Sequence, residues 1–287
     1  MKDHRHAFPH SKEDLRKARS VPDTPQTRSP VYRLAFADDE FLCSPEMRGV
    51  RMQLEMTKPE QIMDAEGIES TVVLFGGARV PGPRQLDSAR TETLRELGRF
   101  YEEARRFAAA VTRRGRPGQN VVVTGGGPGV MEAGNRGAQE AGGRSIGLGI
   151  VLPHEQAPNT YVTPELCFNF HYFATRKMQF LIRAAAVAVF PGGFGTLDEL
   201  FETLTLIQTG RMDRVPVVLF GEAFWRSIID WEALAAAGTI SPEDLDLFRF
   251  VETAEEALAV IDGWETLPPR EDIPGHGEPS DPRAQEG

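Results

Sequence analysis

The sequence predicts an α/β fold: a Rossmann-like, doubly wound, mainly parallel sheet with helices on both faces. Two observations predict it. Short runs of Val, Ile, Leu, Ala and Phe alternate along the chain with longer amphipathic stretches. The runs are continuously apolar rather than alternating with polar residues, as strands covered on both faces must be. A third observation fixes where a ligand would sit. Three of these runs end in glycine clusters: Gly76-Gly77, Gly125-Gly126-Gly127-Pro128-Gly129, and Pro191-Gly192-Gly193-Phe194-Gly195-Thr196. Ligands of open α/β sheets bind beyond the carboxyl ends of strands.

The elements follow in order. Thr71–Phe75 reads as a strand, and 87–113 as one long amphipathic helix bearing Leu94, Leu97, Tyr101, Ala104 and Ala108 on one side. Asn120–Thr124 is a strand, followed by a helix to about Ala141 whose first turn suits Pro128. Ser145–Leu152 and Leu166–Phe170 read as extended, 173–183 as a helix, and Ala185–Phe190 as a buried strand. A helix over 197–209, a strand over Val215–Phe220 and a helix over 222–236 come next. Ser241-Pro242-Glu243-Asp244 has the pattern of a capped short helix. Phe248–Val251 and 253–262 supply a last strand and helix.

Four regions are expected. Residues 1–30 read as a disordered tail, 31–69 as a helical extension, 70–264 as the Rossmann-like body, and 265–287 as a disordered acidic tail. Both ends are rich in proline and charge and lack the apolar residues needed to offset the entropy of ordering. Within 43–65, Met47, Val50, Leu54 and Met56 recur at roughly helical spacing.

The 287 residues carry a formal charge of −10. Such a balance gives no broad attraction for nucleic acid, though a local basic pocket could hold one phosphate. The longest apolar core run, Ala184–Phe190, is too short to cross a bilayer. No signal peptide is read at the start, and Cys43 and Cys167 make no disulfide framework, with Cys167 expected in the core. A cytoplasmic location is expected.

Known nucleotide fingerprints fail. After Gly125 and Gly127 the last glycine of G-x-G-x-x-G is replaced by Val130. Gly77 and Gly82 have P-loop spacing, but Pro83 stands in place of the lysine. A monophosphate needs fewer donors. A glycine turn leading into a helix supplies them from unpaired N–H groups, with the Thr196 hydroxyl beside them.

The densest chemistry lies between His171 and Glu199: His171-Tyr-Phe-Ala-Thr-Arg176-Lys177, then Pro191-Gly192-Gly193-Phe194-Gly195-Thr196-Leu197-Asp198-Glu199. This second segment resembles the PGGxGTxxE signature of the Lonely Guy family, in its longer branch. These proteins are nucleoside 5′-monophosphate phosphoribohydrolases, often mislabelled lysine decarboxylases. The Arg-Lys pair and the Gly125–Ala133 segment resemble further family motifs, so the likeness covers roughly residues 70–262. It departs at Asp198, where Glu is commoner.

The resemblance implies hydrolysis of the N-glycosidic bond of AMP or an N6-substituted, cytokinin-type AMP. Arg176 and Glu199 would be catalytic. Gly192, Gly193, Gly195, Thr196, Gly126, Gly127, Lys177 and Arg79 would bind substrate. No metal or cofactor is implied, and a homodimer or higher homo-oligomer is. The chemistry agrees: breaking the bond from ribose to base builds positive charge on the sugar, which a carboxylate stabilises.

Other readings compete. Thr196 and Glu199 also form a capping box, in which the carboxylate would only satisfy a backbone N–H. Arg176 is open to three roles: contact with phosphate, with the base, or with Glu199. Arg183 is either a second phosphate contact or solvated. Asn135 and Arg136 either line the pocket or lie on a solvated helix face. His171 is read as packed, and His154-Glu155 lacks the second histidine of a zinc site. Pyridoxal phosphate chemistry is rejected, because after Lys58 only Lys177 could form the Schiff base. The remaining alternative is a non-catalytic nucleotide- or molybdenum-cofactor-binding protein of the same fold. It has no use for a carboxylate beside a phosphate turn.

Overall fold

A computed structural model describes residues 10–153 and 157–264. His4, His6, His154, Glu155 and the acidic segment 265–287 lie outside the described residues. The chain divides into two compact units, one ending at Lys58 and the other starting at Pro59.

The first unit holds short helices α1 (Ser11–Ala18), α2 (Pro25–Arg28) and α3 (Asp39–Leu42), and the start of α4 (Arg48–Ala65). Helical turns thus occur in residues 10–30, where the sequence predicts a disordered tail. Local capping accounts for them. The His10 ring accepts from the Lys12 N–H, and Thr24 and Thr27 form a reciprocal capping box. No residue of α1, α2 or α3 is buried. Arg51 donates to the carbonyls of Leu42 and Ser44, at 2.7 and 2.6 Å, and ties α4 to the turn before it.

In the second unit β1 (Thr71–Phe75) leads through α5 (Glu92–Glu96) and α6 (Arg99–Arg114) to β2 (Val121–Thr124). Then come α7 (Val130–Glu140), β3 (Ser145–Ile150), β4 (Cys167–Phe170), α8 (Phe173–Leu181) and β5 (Ala184–Val189). The remainder is α9 (Phe194–Gln208), β6 (Val217–Phe220), α10 (Glu222–Ile228), α11 (Trp231–Ala236), β7 (Arg249–Val251) and α12 (Ala254–Asp262).

The seven strands form one sheet in the order β4-β3-β2-β1-β5-β6-β7, and every neighbouring pair is parallel. The chain winds outward from β1 to β4, returns to the middle, and winds outward again from β5. The reversal between β1 and β5 is the topological switch point, where crossovers diverge and leave a crevice.

Alternation along each strand makes two cores. Val73, Phe75, Val187 and Val189 face Phe180, Leu200, Ile207 and Trp225 on one side. Val72, Leu74, Ala186 and Ala188 face Phe100, Phe107, Ala108 and Val130 on the other. No helix among the described residues is long and apolar enough to cross a membrane.

Two long helices read from periodicity are broken. The one expected over 87–113 becomes a 3₁₀ turn (Leu86–Ser88), α5 and α6. Thr91 caps α5 by accepting from the Leu94 N–H at 3.1 Å. Gly98 then lets the chain pass where a Cβ would collide with Leu86. The one expected over 222–236 stops at Ile228, and Asp230 caps α11 through the Ala233 N–H at 3.0 Å. Hydrophobic period is blind to both breaks, because the pieces keep nearly the same phase. The capping box at Ser241 and Asp244 is present as expected.

Cys167 is exposed, not core. It lies on edge strand β4, whose burial alternates, so Phe168 and Phe170 point inward and Cys167 and Asn169 outward. His171 is also exposed, with its ring edge against Tyr172 at 4.5 Å.

Asn135 neither lines a pocket nor faces solvent: it is fully buried. Its Oδ1 accepts from Thr124 Oγ1 (2.7 Å) and Asn159 Nδ2 (2.9 Å), and its Nδ2 donates to Ser145 Oγ (3.0 Å). Arg136 pairs instead with Glu140 at 2.8 Å. Replacing Asn135 by Leu would leave several buried polar groups unpaired. The Asn135→Leu variant is expected to lose about 2–4 kcal/mol of stability, read as a lowered urea midpoint at unchanged slope.

Candidate active site

The carboxyl ends of β1, β2 and β5 open onto a cavity of about 810 Å³ at the switch point. Its floor is knitted from the three glycine turns. The Gly77 N–H donates to the Pro191 carbonyl at 3.0 Å, and the Val130 N–H donates to the Gly77 carbonyl at 3.3 Å. Gly192 must be glycine for packing, since a Cβ there would run into Thr196 Oγ1 and come within 2.9 Å of the Gly77 nitrogen. Gly193 and Gly195 are different. A Cβ at either would meet nothing within 4 Å, and neither has positive φ. Both line the cavity, so their missing side chains keep its wall open.

Helix α9 begins at Phe194, with Gly193 as its N-cap and no side-chain cap. The sequence predicts that this helix starts at about 197, with Thr196 as the cap of a capping box. The earlier start makes Thr196 the third helical residue and Glu199 the sixth. Glu199 is therefore out of reach of the helix's amino end, and the capping-box reading fails. The first turn of α9 instead directs N–H groups without intrahelical partners toward the cavity side of the glycine turn.

Glu199 is only 6% exposed and lines the cavity. Burial is the main force on its carboxyl, and it pushes the pKa up to about 7. Arg176 and Lys177 oppose the shift, and Glu202 and Asp198 reinforce it. The nearest cation is Arg176, with Nη1 3.7 Å from the Glu199 carboxylate. Arg176 Nε donates to the Leu148 carbonyl within β3 (2.7 Å), and its guanidinium lies 5.0 Å from the centre of the Phe180 ring. Of the roles open to Arg176, the geometry places it against Glu199.

Arg176, Glu199, Gly192, Gly193, Gly195, Thr196 and Arg79 thus border one cavity, with Arg79 exposed at its rim. Three expected residues are not brought in. Lys177 points away and pairs with Asp198 (3.0 Å) and Glu202 (2.6 Å), stapling α8 to α9. Gly126 and Gly127 spend their carbonyls on Asn159 Nδ2, both at 3.0 Å, and the Gly126 N–H goes to Thr124 Oγ1 at 2.9 Å. Gly125 lines the cavity in their place. Arg183 is neither a phosphate contact nor solvated. It lies at the amino ends of the strands, where the Thr71 N–H donates to its carbonyl. There it pairs with Glu60 (2.8 Å) and Asp64 (2.7 Å) and donates to the Ile68 carbonyl.

Sequence reasoning missed the apolar wall: Met131, Phe173, Phe180, Phe224 and Ile228. Phe173 and Phe180 share the helix of Arg176 and could have been found from that proximity. Phe224 and Ile228 come from α10, after β6, and no local signal marks them.

The fold and site together define an α/β parallel-sheet protein with a glycine turn at a helix's amino end beside a buried carboxylate. Residues 131–261 match the family model described as "Possible lysine decarboxylase". Among curated proteins, the chain is similar to Cytokinin riboside 5′-monophosphate phosphoribohydrolase LOG3 of Arabidopsis thaliana. They are 25% identical over 148 residues, which is 50% of this chain and 67% of the relative. It is also similar to the probable enzyme of that name LOGL5 of Oryza sativa subsp. japonica, 28% identical over 159 residues, or 54% of this chain and 62% of the relative. The Lonely Guy resemblance drawn from the motifs is borne out by these matches, and Arg176 and Pro191–Glu199 fall inside the matched region. Among solved structures, the molybdenum cofactor carrier protein of Chlamydomonas reinhardtii aligns with a TM-score of 0.43 at 20% identity, covering 68% of this chain and 96% of that one. A structural-genomics target aligns with a TM-score of 0.46 at 22% identity, covering 67% and 98%.

The raised Glu199 pKa has a consequence for stability. The folded state holds this proton up to about pH 7, whereas an unfolded Glu releases it near 4.5. Between those values the folded state binds more protons, so stability falls as pH rises. Glu199→Gln removes the cost of the buried charge. The variant is expected to unfold at a higher temperature than the parent at pH 8, by up to about 3 kcal/mol of stability. The gap should close as the pH approaches 4.5, as thermal melts across pH will show.

Proposed function

We propose that the protein is a nucleoside 5′-monophosphate phosphoribohydrolase. It hydrolyses the N-glycosidic bond of AMP or an N6-substituted AMP and releases free base and ribose 5-phosphate. The observation that carries this reading is the placement of Glu199: a buried carboxyl, with pKa near 7, in the same cavity as the amino end of α9. The names of the curated relatives support it.

In this reading the 5′-phosphate sits on the first turn of α9, against Gly193, Gly195 and the Thr196 hydroxyl, with Arg79 at the rim. That remote binding energy holds the sugar while the reacting carbon lies near Glu199. As the bond breaks, the ribose becomes cationic. The ionised form of Glu199 stabilises that charge and takes a proton from the attacking water, and the carboxyl so protonated can pass that proton to the departing base. A pKa near neutrality keeps both forms populated. Arg176 holds the carboxylate in place. Phe173, Phe180, Phe224 and Ile228 offer an apolar wall for a purine ring.

The chain also works as a homo-oligomer in this reading. Phe173 and Met178 on α8, and Phe194 and Phe201 on α9, are large apolar side chains left exposed on the two helices that carry the site, as expected of a contact with a second copy.

Incubation with AMP and with N6-isopentenyl-AMP, followed by chromatographic separation of bases from nucleotides, tests the proposal. Base release is expected from at least one of them. Glu199→Gln should still bind nucleotide, with release falling by about 100-fold or more. Comparable turnover by that variant would remove Glu199 from the mechanism. Binding without cleavage by the parent protein would favour a non-catalytic carrier.

A further inference from the structure

We propose that Gly125 is a positioning residue: its missing side chain leaves the seat in which the Arg176 guanidinium lies against Glu199. The kinetic side of this proposal rests on the reading of the site given above, but its structural side does not.

Gly125 directly follows β2, and its backbone does not require glycine. The described glycines with positive φ include Gly126 and Gly129 but not Gly125. Nor does main-chain crowding require it. A Cβ at 125 would have as its nearest backbone neighbour the Leu148 carbonyl, at 4.0 Å. What it would strike is Arg176 Nη2, at 2.8 Å, and Met131 Sδ, at 2.9 Å. Both atoms are the far ends of flexible side chains. The space beside Gly125 is therefore occupied by the guanidinium, and an alanine would displace that group without disturbing the fold around it.

Three other contacts define the same seat. Arg176 Nε is fixed by the Leu148 carbonyl (2.7 Å), the guanidinium is bounded by the Phe180 ring (5.0 Å), and Nη1 reaches toward Glu199 (3.7 Å). Phe180 is itself immobilised: it is 1% exposed and packs edge-on against Phe75 at 5.0 Å. A planar cation held at its Nε and against an aromatic ring has little freedom to rotate. Pushing it from the side of Gly125 moves the Nη atoms that face the carboxylate. The charged groups around Glu199 are Arg176 and Lys177 from α8, Asp198 and Glu202 from its own helix, and Arg79 at the rim. Lys177 is already committed to two carboxylates, so it cannot replace a displaced Arg176.

The test is a double-mutant cycle with Gly125→Ala, Arg176→Ala and the pair. The first readout is titration of the Glu199 carboxyl by carbon NMR in protein labelled at glutamate, assigned with Glu199→Gln. Gly125→Ala is expected to raise the Glu199 midpoint by about one pH unit, since the stabilising cation has moved away. In the Arg176→Ala background it should add nothing, because a residue that acts only through Arg176 has no effect without it. The second readout is base release from AMP. Gly125→Ala should lower kcat by about 10- to 100-fold with KM changed less than about two-fold, again with no further effect when Arg176 is absent. Phe180→Leu removes the ring that bounds the same guanidinium and should raise the Glu199 midpoint too. It decides the matter if the alanine variant does not fold.

An unchanged Glu199 midpoint in Gly125→Ala would overturn the proposal. So would an effect of Gly125→Ala that persists in the Arg176→Ala background, or one confined to KM, which would mean that glycine serves ligand approach instead. If neither AMP nor N6-isopentenyl-AMP is cleaved by the parent protein, the proposed function fails and the titration cycle alone decides the role of Gly125.

Discussion

A carboxylate taken out of water beside a single well-held arginine is the constraint on which the candidate site depends. Burial of Glu199 disfavours its charge, and Arg176 returns part of what burial takes away. The balance leaves the group able to gain or lose a proton near neutrality. Neither partner could hold that state alone. In water the carboxyl would be ionised, and buried without the cation it would stay protonated. The surrounding structure maintains the balance by keeping Glu199 on the inner face of α9 and Arg176 bound to a carbonyl of β3.

The sheet makes this arrangement possible. Because the winding reverses between β1 and β5, the turns after these two strands are neighbours in space although more than a hundred residues separate them in the chain. Tight glycine turns let the β1 and β5 ends touch through the Gly77–Pro191 hydrogen bond, and the β2 turn is drawn in through Val130. The same crevice then receives the amino end of α9, a center of positive potential, and α8, which carries Arg176. At the opposite ends of the strands, charge has a different use. There Arg183 is held by Glu60 and Asp64 and ties α4 to the start of β5.

Two neighbours in sequence, Arg176 and Lys177, show how finely the helix divides labour. They lie about 100° apart on α8. One faces the cavity and Glu199, and the other faces Asp198 and Glu202 and ties the two helices together. A motif that names both as one pair hides two different tasks. The glycine segments divide in the same way: Gly125 borders the cavity, and Gly126 and Gly127 belong to the internal hydrogen-bonded loop built around Asn159 and Asn135.

The sequence by itself determined the strands, the parallel sheet and the edge at which the cavity opens. These follow from local chemistry: continuous apolar runs must be covered on both faces, and glycine clusters after them mark sharp, ligand-accessible turns. It also singled out Arg176, Thr196 and Glu199 through their spacing and their resemblance to a known motif. Only the tertiary structure decided that Glu199 is not a cap, because the helix start depends on how Gly193 and Phe194 leave the sheet. Only it separated Lys177 from Arg176, brought Phe224 and Ile228 into the wall, and showed Arg183 at the far end of the strands. Those outcomes depend on which residues meet across large sequence separations, and that is set by strand order and packing, not by any property of a residue and its chain neighbours.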